Sequence, residues 1–275
     1  MAADPSITDG VRVAIFDLDG TLYQGDGFLP TYLEELEARG GLDREAARAE
    51  LQAIFEQRHA ARIGDFYDPV ADRLLRAPAW HIEAVVDWQG EPVEDDRVGQ
   101  AVAYDDGFVY LGDAWQAVGA VATHHQVDVD AREGAFRAVR DAINTSTDVL
   151  LDTSALASVL DEVDRFEHRF VMTNTPEPLA RALVTAMGLP ERFDGIRFGA
   201  GKPAGLERWL AELTEQLGVS ADEILCVGDN YFNDILPAVR SGCRAIWVDP
   251  FGTAPHAGPE TRVSGLGEVA PLLRD

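Results

Sequence analysis

The feature that most constrains the fold is a short apolar run, VRVAIF at residues 11–16, which leads directly into the acidic sequence DLDGT at residues 17–21. Nearly continuous β-branched and apolar residues are typical of a strand that is buried on both faces of a parallel sheet. Alternation along an extended chain puts Asp17 and Asp19 on the same side, and ligands of open α/β sheets bind beyond the carboxyl ends of strands. The pattern predicts a polar site here, although by itself it fits an ordinary polar turn equally well.

Strand and helix patterns alternate again after residue 148. Four further apolar segments predict strands at residues 169–172, 196–198, 224–227 and 245–248, with amphipathic stretches between them. Alternation of this kind predicts an α/β fold: a Rossmann-like, three-layer core around a five-stranded, mainly parallel sheet. Three of these strands end in polar sequences, TN at 173–174, GKP at 201–203 and GDNYFND at 228–234. Four independent polar turns would rarely all fall at the carboxyl ends of strands.

The segment between residues 25 and 147 has a different pattern and predicts a separate, mainly helical domain. Apolar residues recur at helical spacing over residues 30–39 and 43–62, and another helix is expected from about Asp113 to His125. Residues 101–111 flank the sequence DDG with apolar and aromatic residues, which is a β-hairpin signal. Residues 79–97 are ambiguous, with a strand possible around 82–88. The predicted domains are therefore 1–24 with 148–275, and 25–147.

Composition restricts the partners and the compartment. The chain has 275 residues, is 46% hydrophobic and carries a formal net charge of −25, which argues against nucleic acid or an anionic membrane as the main partner. No signal peptide and no run of 18 apolar residues is visible, and the two cysteines form no disulfide framework. We therefore expect a cytoplasmic protein; the sequence leaves its oligomeric state open.

The basic residues are unusual, because all of the 23 Lys and Arg residues except Lys202 are arginines. Scarce lysine and abundant acid are typical of proteins from salt-loving microbes, in which concentrated salt screens the repulsion between like charges. GC-rich coding explains the shortage of lysine but explains the acidity less readily. We interpret the composition as salt adaptation.

Taken together, the four polar motifs resemble those of the haloacid dehalogenase-like (HAD) hydrolase superfamily. DLDGT, TN, GKP and GDNYFND occur in that superfamily's order, each after a strand, and the resemblance covers residues 11–24 and about 150–250. Single motifs of this kind are weak signals, whereas the four in order are specific. Residues 25–147 match only the general idea of a cap domain inserted between the first two motifs, so the resemblance does not identify the substrate.

The resemblance implies a phosphatase that forms an aspartyl-phosphate on Asp17, with Asp19 as general acid and base. Thr173 and Asn174 would hold phosphoryl oxygens, and Lys202 would supply positive charge. The implied cofactor is Mg²⁺, bound by Asp17, by Asp229 and by the carbonyl of Asp19. Asp234 would support the ion directly or through water. The implied substrate is a small phosphorylated metabolite.

Other functions compete with this interpretation. A phosphomutase would use the same residues, whereas the dehalogenases that the chain resembles lack an acid at the position of Asp19 and need no Mg²⁺. A non-enzymatic, phospho-accepting receiver domain also has Asp, Thr and Lys at strand ends, but it is shorter and carries an adjacent acidic pair unlike DLDGT. Asp19 is therefore the residue that separates a phosphatase or a mutase from a dehalogenase.

Overall fold

The computed structural model describes residues 6–25, 27–145, 153–253 and 258–274. These residues form two compact units. The first comprises the described residues up to Gly25, from Asp141 to Pro250 and from Gly258 onward; the second comprises those from Gly27 to Arg140 together with 251–253. The predicted boundary between residues 147 and 148 lies outside the described residues, and the assignment of 25–147 as a cap stays a prediction.

The first unit is built on a six-stranded sheet in which every neighbouring pair is parallel. A central strand of this sheet lies within the VRVAIF run. All four of its residues are buried, as a strand covered on both faces requires. The strands are β1 (Val13–Phe16), β6 (His168–Met172), β7 (Gly195–Arg197), β8 (Ile224–Gly228), β9 (Arg244–Val248) and β10 (Thr261–Val263). Their order in the sheet is β10–β9–β8–β1–β6–β7.

Helices precede or follow these strands along the chain. They are α5 (Thr153–Glu162), α6 (Glu177–Ala186), α7 (Ala204–Leu217), α8 (Leu236–Arg240) and α9 (Val269–Arg274), and a single turn of π-helix, Tyr231–Ile235, precedes α8. The α/β fold with a parallel sheet is confirmed. The prediction of five strands missed β10, because three residues after a Gly- and Pro-containing stretch carry too little periodicity to be distinguished from a loop.

The second unit combines helices with a small antiparallel sheet. Its helices are α1 (Leu29–Gly40), α2 (Arg44–Phe55), α3 (Ala114–His124) and the part of α4 (Val129–Thr145) up to Arg140; the last turn of α4 belongs to the first unit. The sheet has the order β4–β3–β2–β5, formed by β2 (Phe66–Asp68), β3 (Arg73–Arg76), β4 (Ala84–Val86) and β5 (Val109–Tyr110). The predicted helix from about Asp113 to His125 is present, and the Asp113 side chain caps it by accepting a hydrogen bond from the Gln116 amide.

The hairpin predicted at residues 101–111 is wrong. The turn around DDG forms, but β5 pairs with Phe66 and Tyr67 of β2, and Ala101 forms an isolated bridge with His81. The local hairpin signal is thus overridden by pairing with strands that are distant in sequence. Among the described residues, none of the helices combines the length and the apolar run that crossing a membrane requires.

Candidate active site

Three buried aspartates meet at the carboxyl edge of the parallel sheet. Asp17 follows β1 and Asp229 follows β8, and these strands are neighbours, with the Asp17 amide donating a hydrogen bond to the carbonyl of Val227 at 2.8 Å. Asp234 comes from the π-helical turn just beyond β8. One oxygen from each carboxylate lies within 4.8 Å of the others. The parallel pairing of β1 with β8 therefore brings the aspartates of two distant sequence motifs together in one acidic cluster.

Lys202 lies against this cluster. Its Nζ is 2.5 Å from Oδ1 of Asp17 and 2.5 Å from Oδ1 of Asp234, and its side chain is only 4% exposed. The loop that carries it is held by Asn174, whose Oδ1 accepts a hydrogen bond from the Lys202 amide at 2.7 Å and whose Nδ2 donates to the Lys202 carbonyl at 3.3 Å. The only lysine of the chain is thus buried between two carboxylates.

The electrostatics of the cluster favour a cation. Burial raises the pKa of Asp17 to about 7, against the lowering effect of Lys202, and burial also raises the pKa of Asp234. Burial alone would lower the pKa of Lys202, but the two carboxylates together raise it well above its usual value. When all three aspartates are ionised, one ammonium leaves two negative charges uncompensated. Buried carboxylate oxygens with that net charge are a donor set that suits a hard divalent cation such as Mg²⁺.

Gly20 allows the first strand's loop to approach Asp229. Its φ is +85°, and a Cβ built at this position would lie 2.0 Å from Oδ2 of Asp229. Asp229 also accepts hydrogen bonds from the Thr21 hydroxyl, to its Oδ1 at 3.3 Å, and from the Trp247 indole, to its carbonyl at 2.9 Å. The glycine of DLDGT is therefore required both for its backbone conformation and for the space it leaves.

We expect Gly20→Ala to destabilise the protein more than Gly10→Ala. Gly10 is the matched control, because its φ is +75° but an added Cβ would meet nothing within 4 Å. Backbone strain should cost about 1 kcal/mol in each variant, and the clash with Asp229 should add about 1–2 kcal/mol in Gly20→Ala alone. Urea unfolding of both variants measures the difference. Equal losses would mean that Asp229 can move aside freely.

Among the described residues, the cluster of close carboxylate oxygens consists of Asp17, Asp229 and Asp234. The carboxylate of Asp19 is instead held by hydroxyl groups. Thr173 and Thr175 each donate to Oδ2 at 2.9 Å, and Tyr23 donates to Oδ1. The structure thus brings all seven predicted site residues to one edge of the sheet: Asp17, Asp19, Thr173, Asn174, Lys202, Asp229 and Asp234. The hydroxyl of Thr173 and the amide of Asn174 already have partners within the protein, and their binding of phosphoryl oxygens stays a prediction.

Tyr23 and Thr175 are the residues at this site that sequence reasoning missed. In the sequence, Tyr23 lies in the loop that follows the first predicted strand, and Thr175 with Pro176 is typical of the start of a helix. The position of Tyr23 in the sequence does not indicate a contact with Asp19. A hydroxyl two residues beyond the expected Thr173, on the same side of an extended chain, was the only available signal for Thr175.

Comparison with known proteins gives a family for this arrangement. The model of the haloacid dehalogenase-like hydrolases matches residues 11–242. Similar solved structures include a HAD-hydrolase, YfnB, from Bacillus subtilis bound to magnesium, with 15% identity, a TM-score of 0.58 and coverage of 96% of this chain and 99% of that one. A HAD phosphatase from Thermococcus onnurineus has 16% identity, a TM-score of 0.52 and coverage of 96% and 98%.

A third structure, an L-2-haloacid dehalogenase named RSc1362, has 14% identity, a TM-score of 0.53 and coverage of 96% of this chain and 99% of that one. A search of curated proteins finds no match to the chain. At such identities the structural likeness shows a common fold and does not identify the reaction. The family model, by contrast, spans most of the sequence and includes all four motifs. The chain therefore belongs to the haloacid dehalogenase-like hydrolases.

Proposed function

We propose that this hydrolase is a Mg²⁺-dependent phosphatase that acts on a small phosphorylated metabolite through an aspartyl-phosphate on Asp17. The observation that carries the proposal is the pairing of a buried carboxylate, Asp17, with the ammonium of Lys202 at 2.5 Å, next to a second acid, Asp19. A carboxylate nucleophile divides one difficult displacement into two easier ones. The inserted unit, proposed to be a cap, would determine which metabolite is accepted.

In the first step, an oxygen of Asp17 attacks phosphorus and the bond from phosphorus to the leaving oxygen breaks. The electron pair of that bond goes to the leaving oxygen, which takes a proton from the Asp19 carboxyl group. In the second step, Asp19 accepts a proton from water while that water attacks phosphorus. The bond from phosphorus to Asp17 then breaks, so that inorganic phosphate is released and both aspartates return to their original state.

Among the chain's own groups, the ammonium of Lys202 would stabilise the negative charge that develops on the phosphoryl group. Lys202 is fixed by Asn174 and by two carboxylates, so its charge needs no reorganisation when negative charge develops on the phosphoryl oxygens. The carboxylates of Asp17 and Asp229 and the carbonyl of Asp19 would hold Mg²⁺, with Asp234 in support. When bound, the ion would add the positive charge that an acidic chain otherwise lacks near its substrate.

The experiment that tests the proposal is release of inorganic phosphate from p-nitrophenyl phosphate and from a panel of phosphorylated metabolites, with Mg²⁺ and after treatment with EDTA. We expect Mg²⁺-dependent release with several substrates. Halide release from 2-haloacids without phosphate release would instead make the protein a dehalogenase. Conversion of one sugar phosphate into its isomer without inorganic phosphate would make it a mutase.

A separate prediction concerns the role of Asp19. An acid catalyst matters most when the leaving oxygen is strongly basic, so Asp19→Ala should lower kcat/KM for an alkyl phosphate by about 10²–10⁴. The loss with p-nitrophenyl phosphate should be much smaller, since its leaving group needs little protonation. Steady-state kinetics with both substrates at saturating Mg²⁺ measure the two losses. A common factor for both would mean that the Asp19 side chain serves only the metal site or the fold.

A further inference from the structure

The carboxylate of Asp19 is held on both of its oxygens. Tyr23 donates to Oδ1, while Thr173 and Thr175 donate to Oδ2, each at 2.9 Å. All three donors are almost fully buried, with relative exposures of 2% for Tyr23, 1% for Thr173 and 8% for Thr175. Side chains so enclosed have few alternative rotamers, so they restrict the orientation of the group that they contact.

The turn after β1 places the tyrosine. The amides of Leu22 and Tyr23 both donate to the carbonyl of Leu18, at 3.1 and 3.3 Å, and the Gly20 amide donates to the carbonyl of Tyr23 at 3.0 Å. This closed loop returns the chain alongside Asp19, with which Tyr23 forms an isolated bridge. The tyrosine hydroxyl therefore reaches Asp19 from a rigid turn of the same segment.

The threonines approach from the loop after β6. The Thr175 amide donates to the Thr173 hydroxyl oxygen at 3.0 Å, so the single proton of that hydroxyl is directed toward Asp19. Thr175 then adds a second hydroxyl to the same carboxylate oxygen. Asp19 and Thr175 are separated by 156 residues in sequence. Two distant segments thus contribute hydrogen bonds to one carboxylate.

We propose that Tyr23 and Thr175 are positioning residues that hold Asp19 in the orientation from which it protonates the leaving oxygen. This inference rests on the proposed phosphatase function. Thr173, which the four motifs single out, contacts the same Asp19 oxygen at 2.9 Å, so a phosphoryl oxygen that reached the Thr173 hydroxyl would be next to the held carboxylate. Neither Tyr23 nor Thr175 needs to touch the substrate for this role.

The test compares Tyr23→Phe, Thr175→Val and Thr175→Ser with the wild type, using an alkyl phosphate and p-nitrophenyl phosphate at saturating Mg²⁺. Loss of a positioning hydroxyl should lower kcat for the alkyl phosphate by about 10-fold or more and leave its KM nearly unchanged, since proton transfer is what weakens. The loss for p-nitrophenyl phosphate should be under about 3-fold. Thr175→Ser retains a hydroxyl and should recover most of the rate.

Tyr67→Phe is the matched control, because Tyr67 is also buried and its hydroxyl also donates to an aspartate, Asp72, at 2.8 Å in the second unit. It should change neither substrate's kinetics selectively. Equal losses for both substrates in Tyr23→Phe and Thr175→Val, or no loss, would overturn the positioning role while the phosphatase assignment stands. A wild type that releases no phosphate would overturn both. Should Tyr23→Phe fail to fold, the comparison of Thr175→Val with Thr175→Ser decides.

Discussion

Asp17→Asn is expected to abolish phosphate release while the chain remains folded. An amide is a poor nucleophile and a poorer ligand for Mg²⁺ than a carboxylate, and removal of a covalent nucleophile costs on the order of 10⁴ or more in kcat. The measurement is phosphate release with p-nitrophenyl phosphate at saturating Mg²⁺. Asp105→Asn is the control, because Asp105 is exposed in a turn of the second unit, and it should keep wild-type activity.

The same variant should alter the pH dependence of stability in the metal-free protein. The folded-state pKa of Asp17, about 7, lies above its ordinary value of 3.8, so the folded protein binds the additional proton between these values. The contribution of Asp17 to the free energy of unfolding therefore falls as pH rises through that range. Asp17→Asn should remove this part of the slope in urea unfolding. Comparable activity in Asp17→Asn, or an unchanged slope, would contradict the roles given to Asp17.

Lys202→Met should cause the second largest losses of activity and stability, because it removes an ammonium group that is expected to contribute to both. Loss of one preorganised electrostatic contact should lower kcat by on the order of 10²–10³. The variant also leaves the buried carboxylates of Asp17 and Asp234 without their ammonium, which should cost about 3–5 kcal/mol of unfolding free energy. Phosphate-release kinetics and urea unfolding measure the two losses. Arg208→Met, a change to an exposed cation in α7, should show neither loss.

A double variant separates the two effects. Lys202→Met with Asp234→Asn removes the charge of both partners of an ion pair that is nearly inaccessible to solvent. Part of the stability should return, because an unpaired buried carboxylate is gone, but the activity should stay low. A loss of activity under threefold in Lys202→Met would mean that Lys202 has no catalytic role. Stability that the second substitution does not improve would mean that Lys202→Met does not leave a costly unpaired charge on Asp234.

The succession of most strands and of the polar motifs along the chain could be predicted from the sequence, because both signals are local. A buried parallel strand such as β1 has its own composition, and Asp17 and Asp229 each come directly after such a strand, whereas Lys202 follows the more exposed edge strand β7. Parallel pairing then places the carboxyl ends of neighbouring strands at one edge, so the convergence of these residues follows from strand order. The predicted α/β class depends only on these features and is confirmed.

Pairings between distant segments could not be predicted in the same way. The hairpin at 101–111 failed, since β5 found its partner in β2, about forty residues earlier, where packing in the second unit outweighs a local turn signal. The three-residue β10 was missed for a related reason: it is a strand only because β9 lies beside it. In both cases the hydrogen-bonding partner, and not the segment's own composition, decides the structure.

The same distinction between local signals and distant contacts applies to the candidate active site. The sequence by itself determined which charged groups gather at the edge of the sheet, because each belongs to a motif attached to a strand end. Only the tertiary structure decided that Asn174 fixes the backbone of Lys202, and that Tyr23 and Thr175 hold Asp19. The physical reason is that a hydrogen bond requires an approach of about 3 Å with suitable direction. Side chains meet so closely through packing and loop conformation, which residue type and spacing alone do not specify.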